Sequence, residues 1–496
     1  MAEDRDNSRS PVESSITEVA RGGDNVDCLV IGSGTAGVTT ALALADQGFR
    51  VVIVEAGPLG LWSHVANARF GDGGGLAAKV SNSAAIPVSW FGDEQAGDGE
   101  TGWQVPTWLA VGGRTLYWSG TTPRYQAWDF DDWPITADEM SRFYDRAESL
   151  IKVSGSGDGH RPPFYQSGRQ RMAIEQLLEA GWPARSTPAA VDTSADRTLG
   201  AGFDSSTARL LASEHLGDFS DGARVSLIIQ AVVTRLVLEA DRLTGVEVLD
   251  RRSDSAVTLR ARHVVLACGA VQSARLALRS GLGELNPHVG RYISDHLFLE
   301  GIVEFGDPGP DGPFSLLIDP TPDRPYQVQI QGCLGTSSYY KTPSGASERG
   351  TGPALVTLAA FGVGAVRREN RVALSSGGDR AYGGIQDLRV IYGRSADDEA
   401  CLAAMRDGAA RAVEAFGARL SNIQVHPPGI ALHEVGGLRM SGDEQTGVTD
   451  TFGQFWRVRN LSAADASVFP SQGAANPYLT ITALSLRHAE ALSRRL

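Results

Sequence analysis

Cysteine is scarce in this sequence: the 496 residues contain four, at positions 28, 268, 333 and 401. No two of them form a Cys-x-x-Cys pair, and Cys28 and Cys268 lie within apolar stretches. Cysteines in such stretches usually behave as small hydrophobic side chains. The sequence therefore predicts neither a disulfide framework nor a cysteine-ligated zinc site, and we expect no bound metal.

Long hydrophobic runs and an excess of basic residues are also lacking. No window reaches about 18 consecutive apolar residues, so we expect no membrane-spanning helix. The 45 Lys and Arg are outnumbered by 58 Asp and Glu, and the net charge of −13 argues against a nucleic-acid or anionic membrane partner. Residues 1–26 are polar, without the apolar core of a signal peptide. We expect a disordered leader and a cytoplasmic location.

A glycine-rich turn between a predicted strand and a predicted helix is the most informative feature present. Residues 28–31 are apolar, Gly32, Gly34 and Gly37 follow in a Gly-x-Gly-x-x-Gly pattern, and residues 35–47 are rich in Ala and Leu. The glycines permit a tight turn, close approach of a pyrophosphate and close helix–strand packing. The N-terminus of the helix then faces the phosphates with its free N–H groups.

An acidic residue completes this pattern. Glu55 ends a second apolar strand, residues 51–54, where its carboxylate can accept both hydroxyls of an adenosine ribose. Strand, turn, helix, second strand and terminal acid occur in the order that dinucleotide binding requires. The pattern favours that function over the alternative, an ordinary β-α-β unit without a ligand.

Segments typical of a nucleotide domain alternate with segments typical of an antiparallel sheet. We predict an α/β fold in which a Rossmann-like nucleotide-binding domain, residues 27–296 and 428–496, interleaves with an α+β substrate domain, residues 297–427. Residues 153–205 are a candidate contribution to the substrate domain. The Gly/Ala/Ser-rich residues 58–102 are expected to form a loop or lid.

Local patterns predict the individual elements. Residues 136–152 form an amphipathic helix whose Thr136 and Glu139 fit a capping box. A further helix is predicted over residues 397–416. In the substrate domain we expect antiparallel strands with one face toward water. Strands are predicted at residues 225–229, 232–239, 245–250, 262–267, 326–331, 354–358, 371–374 and 388–392.

Further motifs resemble those of the glucose-methanol-choline (GMC) oxidoreductases. They are residues 111–118 (VGGRTLYW) with the following Pro123-Arg124, residues 433–440 (HEVGGLRM), and residues 460–470 (NLSAADASVFP) running to ANPYLT at 475–480. Residues 289–296 (VGRYISDH) are similar to another segment of that family. Within the family, the chain resembles the pyranose-oxidase-like branch, which includes bacterial sugar and glycoside oxidases. Two features carry this resemblance: the spacing from the glycine pair through Trp118 to Pro123-Arg124, and the Asn at position 476, where other branches carry a second His.

The resemblance implies an FAD-dependent enzyme that moves a hydride from an alcohol carbon to the flavin. It implies that His433, one of nine histidines, is the general base, and that Asn476 donates a hydrogen bond to the substrate hydroxyl. Outside this resemblance, a satisfied core histidine and a turn residue before Pro477 are the ordinary interpretations of the two. His296 is expected to be structural.

The resemblance also implies a set of cofactor contacts. Tyr117 takes the position of a His that bonds covalently to the flavin in some relatives, so we expect noncovalent FAD. Gly437 replaces the usual Thr, so either a neighbouring group supplies the missing hydroxyl or it is dispensable. For Asp465 the alternative is a turn or N-cap acid. The implied contacts are Gly32, Gly34, Thr35, Ala36, Gly37, Glu55, Ala56, Gly112, Gly113, Tyr117, Trp118, Val233, Asp465, Ala466, Asn476, Pro477 and Thr480.

We expect the enzyme to oxidise a secondary hydroxyl of a sugar or glycoside, at carbon 2 or carbon 3, to a ketone. One alternative is a GMC oxidase or dehydrogenase that tailors a non-sugar or secondary-metabolite alcohol, and another is a flavin-binding protein without redox turnover. The electron acceptor is expected to be oxygen or a quinone-like compound. Gln329 and Gln331 share a strand face and are candidate sugar contacts, although a solvated face is the more ordinary interpretation.

Overall fold

The computed structural model shows an α/β protein built around two sheets. Residues 1–12 and most of the predicted loop 58–102 lie outside the described part of the chain, so the role expected of that loop stays a prediction. The described residues are 13–64, 88–91, 103, 105–155, 161, 167–193, 202–306, 314–332, 356–374 and 388–496.

The first sheet has five parallel strands. Its order is Leu461–Ala463, His263–Leu266, Cys28–Ile31, Val51–Val54 and Val225–Ile228. The four residues of each of the three central strands are buried, as expected for a parallel sheet covered on both faces. The helix Thr35–Ala45 connects the central strand to its neighbour. The predicted β-α-β unit is therefore confirmed.

An antiparallel three-stranded sheet follows the fifth strand. It consists of Ala231–Glu239, Arg242–Asp250 and Ser255–Leu259. The chain then enters the parallel sheet through His263–Leu266 and continues into the helices Ala270–Arg279 and Leu282–Leu285. The strands predicted over this region are confirmed, with the usual difference of a few residues at their ends.

The second large sheet has six antiparallel strands. Their order is Ala418–Val425, Leu297–Phe305, Val356–Gly362, Tyr326–Gly332, Phe314–Ile318 and Ala184–Ser186. The helices Gly168–Glu179 and Ala396–Ala415 pack on this sheet. The edge strand Ala184–Ser186 comes from the segment 153–205, whose assignment to the substrate domain stays a prediction.

Two strands that the sequence places in the substrate domain lie elsewhere. Arg371–Leu374 and Leu388–Ile391 pair only with each other among the described strands. Val372 donates its backbone N–H to Gly290 O, and Val372 and Val390 are buried in the hydrophobic core of the nucleotide domain. Alternation alone predicts a strand but not which sheet it joins, since partner choice depends on distant residues.

The predicted disordered leader is wrong for residues 13–26. The helix Ile16–Arg21 buries Ile16 and Val19 in the core, and Ser14 donates its backbone N–H to Leu227 O. Two apolar residues three positions apart share a helix face, and here that face packs on the protein.

The remaining elements lie outside the two large sheets and the three-stranded sheet. The helix Ala137–Leu150 begins with the predicted capping box between Thr136 and Glu139. No helix in the described segments is long and apolar enough to cross a membrane. The other helices are Ser206–Leu211 and Tyr478–Leu492, the 3₁₀ turns are Gly23–Asn25, Gly113–Leu116, Ala127–Phe130 and Ala466–Val468, and the short strands are Val88–Phe91, Val105–Trp108, Val153–Ser154, Ala189–Asp192 and Gly202–Phe203.

Candidate active site

The glycine turn after the central parallel strand is tightly packed on one side and open on the other. Gly32 has φ +103°, and a Cβ there would lie 2.4 Å from Ala267 O. A Cβ on Gly37 would lie 2.0 Å from Gly32 O, so glycine is required for helix–strand packing. A Cβ on Gly34 would meet no described atom within 4 Å. The turn therefore leaves room for a ligand beside Gly34.

Glu55 closes the adjacent strand and lies beside this turn. Its carboxylate accepts from Ser33 N at 3.1 Å and Ser33 Oγ at 2.7 Å through Oε2, and from Gly57 N at 2.8 Å through Oε1. Burial raises the pKa of Glu55, while these hydrogen bonds oppose the rise. The carboxylate is thus held in one orientation next to the turn. Ser33, which the sequence analysis did not single out, is a main contact of Glu55.

The glycine pair of the 111–118 motif lies next to the same turn. Gly112 has φ +96° and donates its N–H to Ser33 Oγ at 3.0 Å. Gly113 begins the 3₁₀ turn Gly113–Leu116, with open space where a Cβ would be. Trp118 stacks on Tyr478 with 3.7 Å between the ring centres. The motif therefore joins the glycine turn to the first residue of the last helix, while Tyr117 packs beside buried Leu116.

The C-terminal motif contributes Asp465 and the start of the last helix. Asp465 is buried and caps the turn Ala466–Val468 by accepting from Ser467 N, and it also accepts from Gly269 N at 2.8 Å and Ser273 Oγ at 2.6 Å. These contacts agree with the alternative interpretation of Asp465 as an N-cap, and its cofactor contact stays a prediction.

The last helix begins at the site without a capping side chain. Pro477 occupies the N-cap position of Tyr478–Leu492 and has no side-chain hydrogen bond to the first turn. Thr480 Oγ1 lies 2.8 Å from Tyr144 OH. Val233 is buried in a strand whose first residue, Ala231, donates its N–H to Glu55 O. The strand of Val233 is therefore joined to Glu55, and the cofactor contacts expected of Val233 and Thr480 stay predictions.

His433 and Asn476 are neighbours, as the resemblance implies. Asn476 Nδ2 lies 3.3 Å from His433 Nε2. Asn476 is buried, whereas His433 is half-buried and so remains accessible on one side. Asn476 Oδ1 accepts hydrogen bonds from Gln329 Nε2 at 2.6 Å and Gln327 Nε2 at 2.9 Å. The structure thus brings the candidate base, its partner and the six-stranded sheet together.

The solvated strand face expected for the glutamines is wrong. Gln327, Gln329 and Gln331 are at most 6% exposed, and they alternate with Val328 and Ile330, which face the helix-covered side of the sheet. All seven residues of Tyr326–Gly332 are buried, so both faces of this strand are covered. Gln331 Nε2 donates to Thr121 Oγ1 at 3.2 Å. Gln327 was missed although it shares the period-two face of the other two glutamines.

His296 has a position that the sequence analysis did not foresee. Its Nδ1 lies 2.9 Å from His433 Nδ1, and its Nε2 lies 2.7 Å from Gly473 O. His296 was expected to be structural, and the structure places its ring directly against that of the candidate base. The adjacent Ser-Asp-His sequence at 294–296 was the available signal, because it directly precedes a strand of the sheet that covers the site.

The backbone around His433 is fixed by two buried carboxylates. Asp295 accepts from His433 N at 3.1 Å and from Gly429 N at 3.0 Å. Arg114 donates to both oxygens of Glu434, at 2.5 and 2.8 Å, and to Leu432 O at 2.7 Å. These contacts hold Leu432 at φ +62°, a conformation that a leucine adopts only when its surroundings impose it.

The presence of a glycine at position 437, in place of the usual threonine, has a steric explanation. Its φ is +96°, and a Cβ there would lie 2.8 Å from Ala274 Cβ. The site therefore cannot hold the usual threonine in this backbone conformation. The ring of His296, rather than a hydroxyl, contacts His433 Nδ1.

Burial sets the charge state of the two histidines. It lowers the pKa of His433 well below 6.5, with further lowering from His296 and Arg114. Burial also lowers the pKa of His296 to about 4. Burial together with Glu434 raises the pKa of Asp295. Both histidine rings are therefore neutral at pH 7, and a neutral imidazole is the form that accepts a proton.

Comparison with known protein families shows to which family the chain belongs. The GMC oxidoreductase family models match residues 26–298 for the N-terminal part and residues 367–485 for the C-terminal part. This chain belongs to the GMC oxidoreductase family. GMC oxidoreductases are flavoproteins, and the chain is an enzyme that acts on CH–OH groups.

Characterised GMC relatives are similar over nearly the whole chain. Paromamine 6'-oxidase of Streptomyces fradiae is 28% identical and covers 94% of this chain and 91% of its own. C-glycoside 3-oxidase of Arthrobacter globiformis is 27% identical and covers 95% of each. The crystal structure of pyridoxine 4-oxidase from Mesorbium loti superposes with a TM-score of 0.70 at 17% identity, covering 94% of this chain and 99% of that one, and shows the GMC fold.

The residues at the carboxyl edge of the parallel sheet fit the adenosine diphosphate part of a flavin nucleotide. Gly34, Gly113 and Gly269 each have open space where a Cβ would lie. Gly34 and Gly269 each come three residues after a strand, Cys28–Ile31 and His263–Leu266, at the edge where nucleotides bind in open α/β sheets. Glu55 ends the next strand at the same edge. A GMC cofactor therefore has a glycine-lined site with a fixed carboxylate beside it.

Proposed function

We propose that this GMC enzyme oxidises a secondary hydroxyl of a sugar or glycoside, at carbon 2 or carbon 3, to a ketone. The observation that carries the proposal is the pairing of His433 Nε2 with Asn476 Nδ2 at 3.3 Å, under a buried row of glutamine amides. An alcohol oxygen needs one acceptor for its proton and one donor to hold it. His433 and Asn476 provide these two groups side by side.

The chemistry divides between cofactor and protein. The glycine turn, Glu55 and the other predicted contacts would hold FAD without a covalent bond, and the bound flavin would supply the acceptor for the hydride that leaves the alcohol carbon. His433 takes the hydroxyl proton on its neutral ring. Asn476 donates to the same oxygen and so restricts which hydrogen of the carbon is presented. The hydrogen on the alcohol carbon leaves with two electrons as hydride, and the hydroxyl hydrogen leaves as a proton. The carbonyl group of the product remains.

The choice of a sugar rests on the polar face of the six-stranded sheet. Gln329 and Gln331 project from one strand toward the side where Asn476 lies, and amides can both donate to and accept from ring hydroxyls. The name of the C-glycoside 3-oxidase relative supports the same substrate class and the position at carbon 3.

A second candidate is oxidation of an alcohol on a secondary metabolite. The names of two relatives, paromamine 6'-oxidase and 6'''-hydroxyparomomycin C oxidase, favour it. Oxidase relatives support oxygen as electron acceptor, with a quinone as the alternative. The flavin-binding protein without turnover is not proposed, because both family and relatives indicate an enzyme. The cytoplasmic location stays a prediction.

Anaerobic reduction of the purified flavoprotein tests the substrate class. Glucose, several C- and O-glycosides, aminoglycosides and simple alcohols are added separately, and bleaching of the flavin is followed by absorbance. Products of the substrates that bleach the flavin are then identified by mass spectrometry and NMR. A 2-keto or 3-keto sugar is expected. Aldehydes formed only from primary hydroxyls would contradict the proposed position and favour the second candidate.

A further inference from the structure

The groups around His433 form an unbroken series of hydrogen-bonding atoms that starts at a backbone carbonyl. His296 Nε2 lies 2.7 Å from Gly473 O, and His296 Nδ1 lies 2.9 Å from His433 Nδ1. Beyond His433, the series continues from Nε2 to Asn476. A carbonyl oxygen only accepts, and a neutral imidazole has one donor and one acceptor nitrogen. Each proton in the series is therefore fixed by the group before it.

The carbonyl end determines both histidine tautomers. Gly473 O requires a proton on His296 Nε2, which leaves His296 Nδ1 as an acceptor. His433 must then carry its proton on Nδ1, because two lone pairs cannot face each other at 2.9 Å. His433 Nε2 is left with a free lone pair. The lowered pKa of His296 agrees with a neutral ring at this position.

The contacts of the Asn476 amide require the same tautomer of His433. Asn476 Oδ1 accepts from both Gln327 and Gln329, so its NH₂ group must face His433 Nε2. A donor facing Nε2 requires a lone pair there. The tautomer of His433 is thus determined twice, from groups on opposite sides of the ring.

Gln472 does not compete for the acceptor nitrogen of His296. Its Nε2 lies 3.1 Å from both ring nitrogens of His296. An atom equally far from both nitrogens at this distance lies over the face of the ring, not along the in-plane lone pair of Nδ1. The amide makes a weak N–H···π contact there, and the lone pair stays directed at His433.

We infer that His296 is a positioning residue that holds the proton of His433 on Nδ1 and thereby makes Nε2 the basic nitrogen presented to the substrate. When Nε2 accepts the hydroxyl proton, His433 becomes a cation whose Nδ1–H is already bonded to His296. The catalytic consequence rests on the proposed function, whereas the protonation pattern follows from the contacts alone. An aspartate or glutamate, which usually orients a catalytic histidine, is here replaced by a second neutral imidazole.

The protonation pattern can be measured without turnover. Flavin-loaded protein labelled with ¹⁵N in its histidine rings is studied by long-range ¹H–¹⁵N correlation at pH 7, and His433 and His296 are assigned from the signals lost in His433→Ala and His296→Leu. We expect a protonated Nδ1 and a bare Nε2 on His433, with the reverse pattern on His296. A proton on His433 Nε2 in the wild-type protein would overturn the inference, whatever substrate the enzyme uses.

Variants of His296 test the consequence for the base. His296→Leu removes the acceptor and should slow flavin reduction by about 10-fold or more, because wrong-tautomer histidines are poor bases. His296→Gln keeps one acceptor and one donor and should recover part of that loss. His263→Leu removes an equally buried histidine at the other edge of the parallel sheet and should leave the reduction rate unchanged. Normal reduction in His296→Leu, with the His433 signals unmoved, would also refute the role.

Failure of the substrate proposal and failure of the role of His296 give different experimental results. If no sugar or glycoside bleaches the flavin but His433 retains the expected tautomer, the proposed substrate is wrong and the role of His296 stands. If sugars are oxidised while the ring pattern of His433 is the reverse, the substrate proposal stands and the role of His296 is refuted.

Discussion

Gln329 Nε2 donates to Asn476 Oδ1 at 2.6 Å, which joins the centre of the six-stranded sheet to the residue beside the candidate base. Asn476 directly precedes the N-cap of the last helix, so its backbone is anchored on the nucleotide side. Its amide is anchored on the sheet side. The orientation of Asn476 therefore depends on both halves of the molecule being in register.

This contact predicts losses of different size for two Asn476 variants. Asn476→Asp places a carboxylate oxygen against His433 Nε2, so the ring must hold a proton there and can no longer act as a base. We expect flavin reduction to slow by about 10²-fold or more, the scale of losing a general base. Asn476→Ala leaves the lone pair of Nε2 free and should lose less. Stopped-flow reduction at saturating substrate measures both, and an Asp variant faster than the Ala variant would contradict the predicted orientation.

Removal of the candidate base gives the loss in flavin-reduction rate with which the other variants are compared. His433→Ala should slow flavin reduction by about 10²-fold or more while the flavin stays bound, since no predicted nucleotide contact involves this side chain. His426→Ala is the matched control. Like His433, His426 contacts one of the neighbouring phenylalanines Phe298 and Phe361, but its ring pairs with Glu300 and not with Asn476. Near-normal reduction in His433→Ala would show that another group takes the proton.

The lowered pKa of His433 predicts an acid-tolerant reductive step. The reaction needs the neutral ring, and a lowered pKa means that the ring becomes protonated only at lower pH. The rate of flavin reduction should therefore stay constant as the pH falls through 6.5 and decline only well below it. His296 and Arg114 face the ring and act in the same direction as burial, while the charge of Arg114 is balanced by Glu434. A decline centred at or above pH 6.5 would contradict the prediction.

The flavin should be released by acid. Tyr117 stands where a flavin-linked histidine would be, and a phenol has no imidazole nitrogen to bond the flavin. Precipitation with trichloroacetic acid should leave all yellow colour in the supernatant, measured by its absorbance spectrum. Colour that remains with the washed pellet would show a covalent link.

Gly437 should resist even the smallest side chain. Gly437→Ala puts a Cβ at φ +96° and 2.8 Å from Ala274 Cβ, and we expect a loss of about 1–3 kcal/mol in unfolding free energy. Gly442→Ala in the same segment is the control, because its Cβ would meet no described atom within 4 Å. Urea unfolding monitored by tryptophan fluorescence compares the two. Equal midpoints for both variants would mean that the backbone at Gly437 relaxes easily.

The sequence was sufficient to predict those parts of the fold that one short segment defines by itself. Gly32, Gly37 and Glu55 occupy the predicted positions because a strand, turn and helix within one short segment define them. The resemblance was sufficient to pair His433 with Asn476. It did not reveal His296 as the neighbour of His433, since that contact joins loops 137 residues apart.

Burial was the harder quantity to predict. An alternating strand such as Tyr326–Gly332 has the same pattern whether its polar face meets water or another part of the protein. Here Gln327 and Gln329 meet Asn476, which follows them by about 150 residues in the chain. In the leader, Ile16 and Val19 were too few to predict a docked helix, because the surface that receives them comes from distant strands.

The order of strands in the parallel sheet has a consequence for how the protein folds during synthesis. Cys28–Ile31 lies between Val51–Val54 and His263–Leu266, and the outer position next to His263–Leu266 is filled only by Leu461–Ala463. A ribosome must therefore pass Ala463 before the five-stranded parallel sheet can be completed. Pairings between such distant segments fold slowly, because a large loop must close before any contact is gained. Until then the edge of His263–Leu266 that Leu461–Ala463 covers in the finished sheet lacks its partner strand.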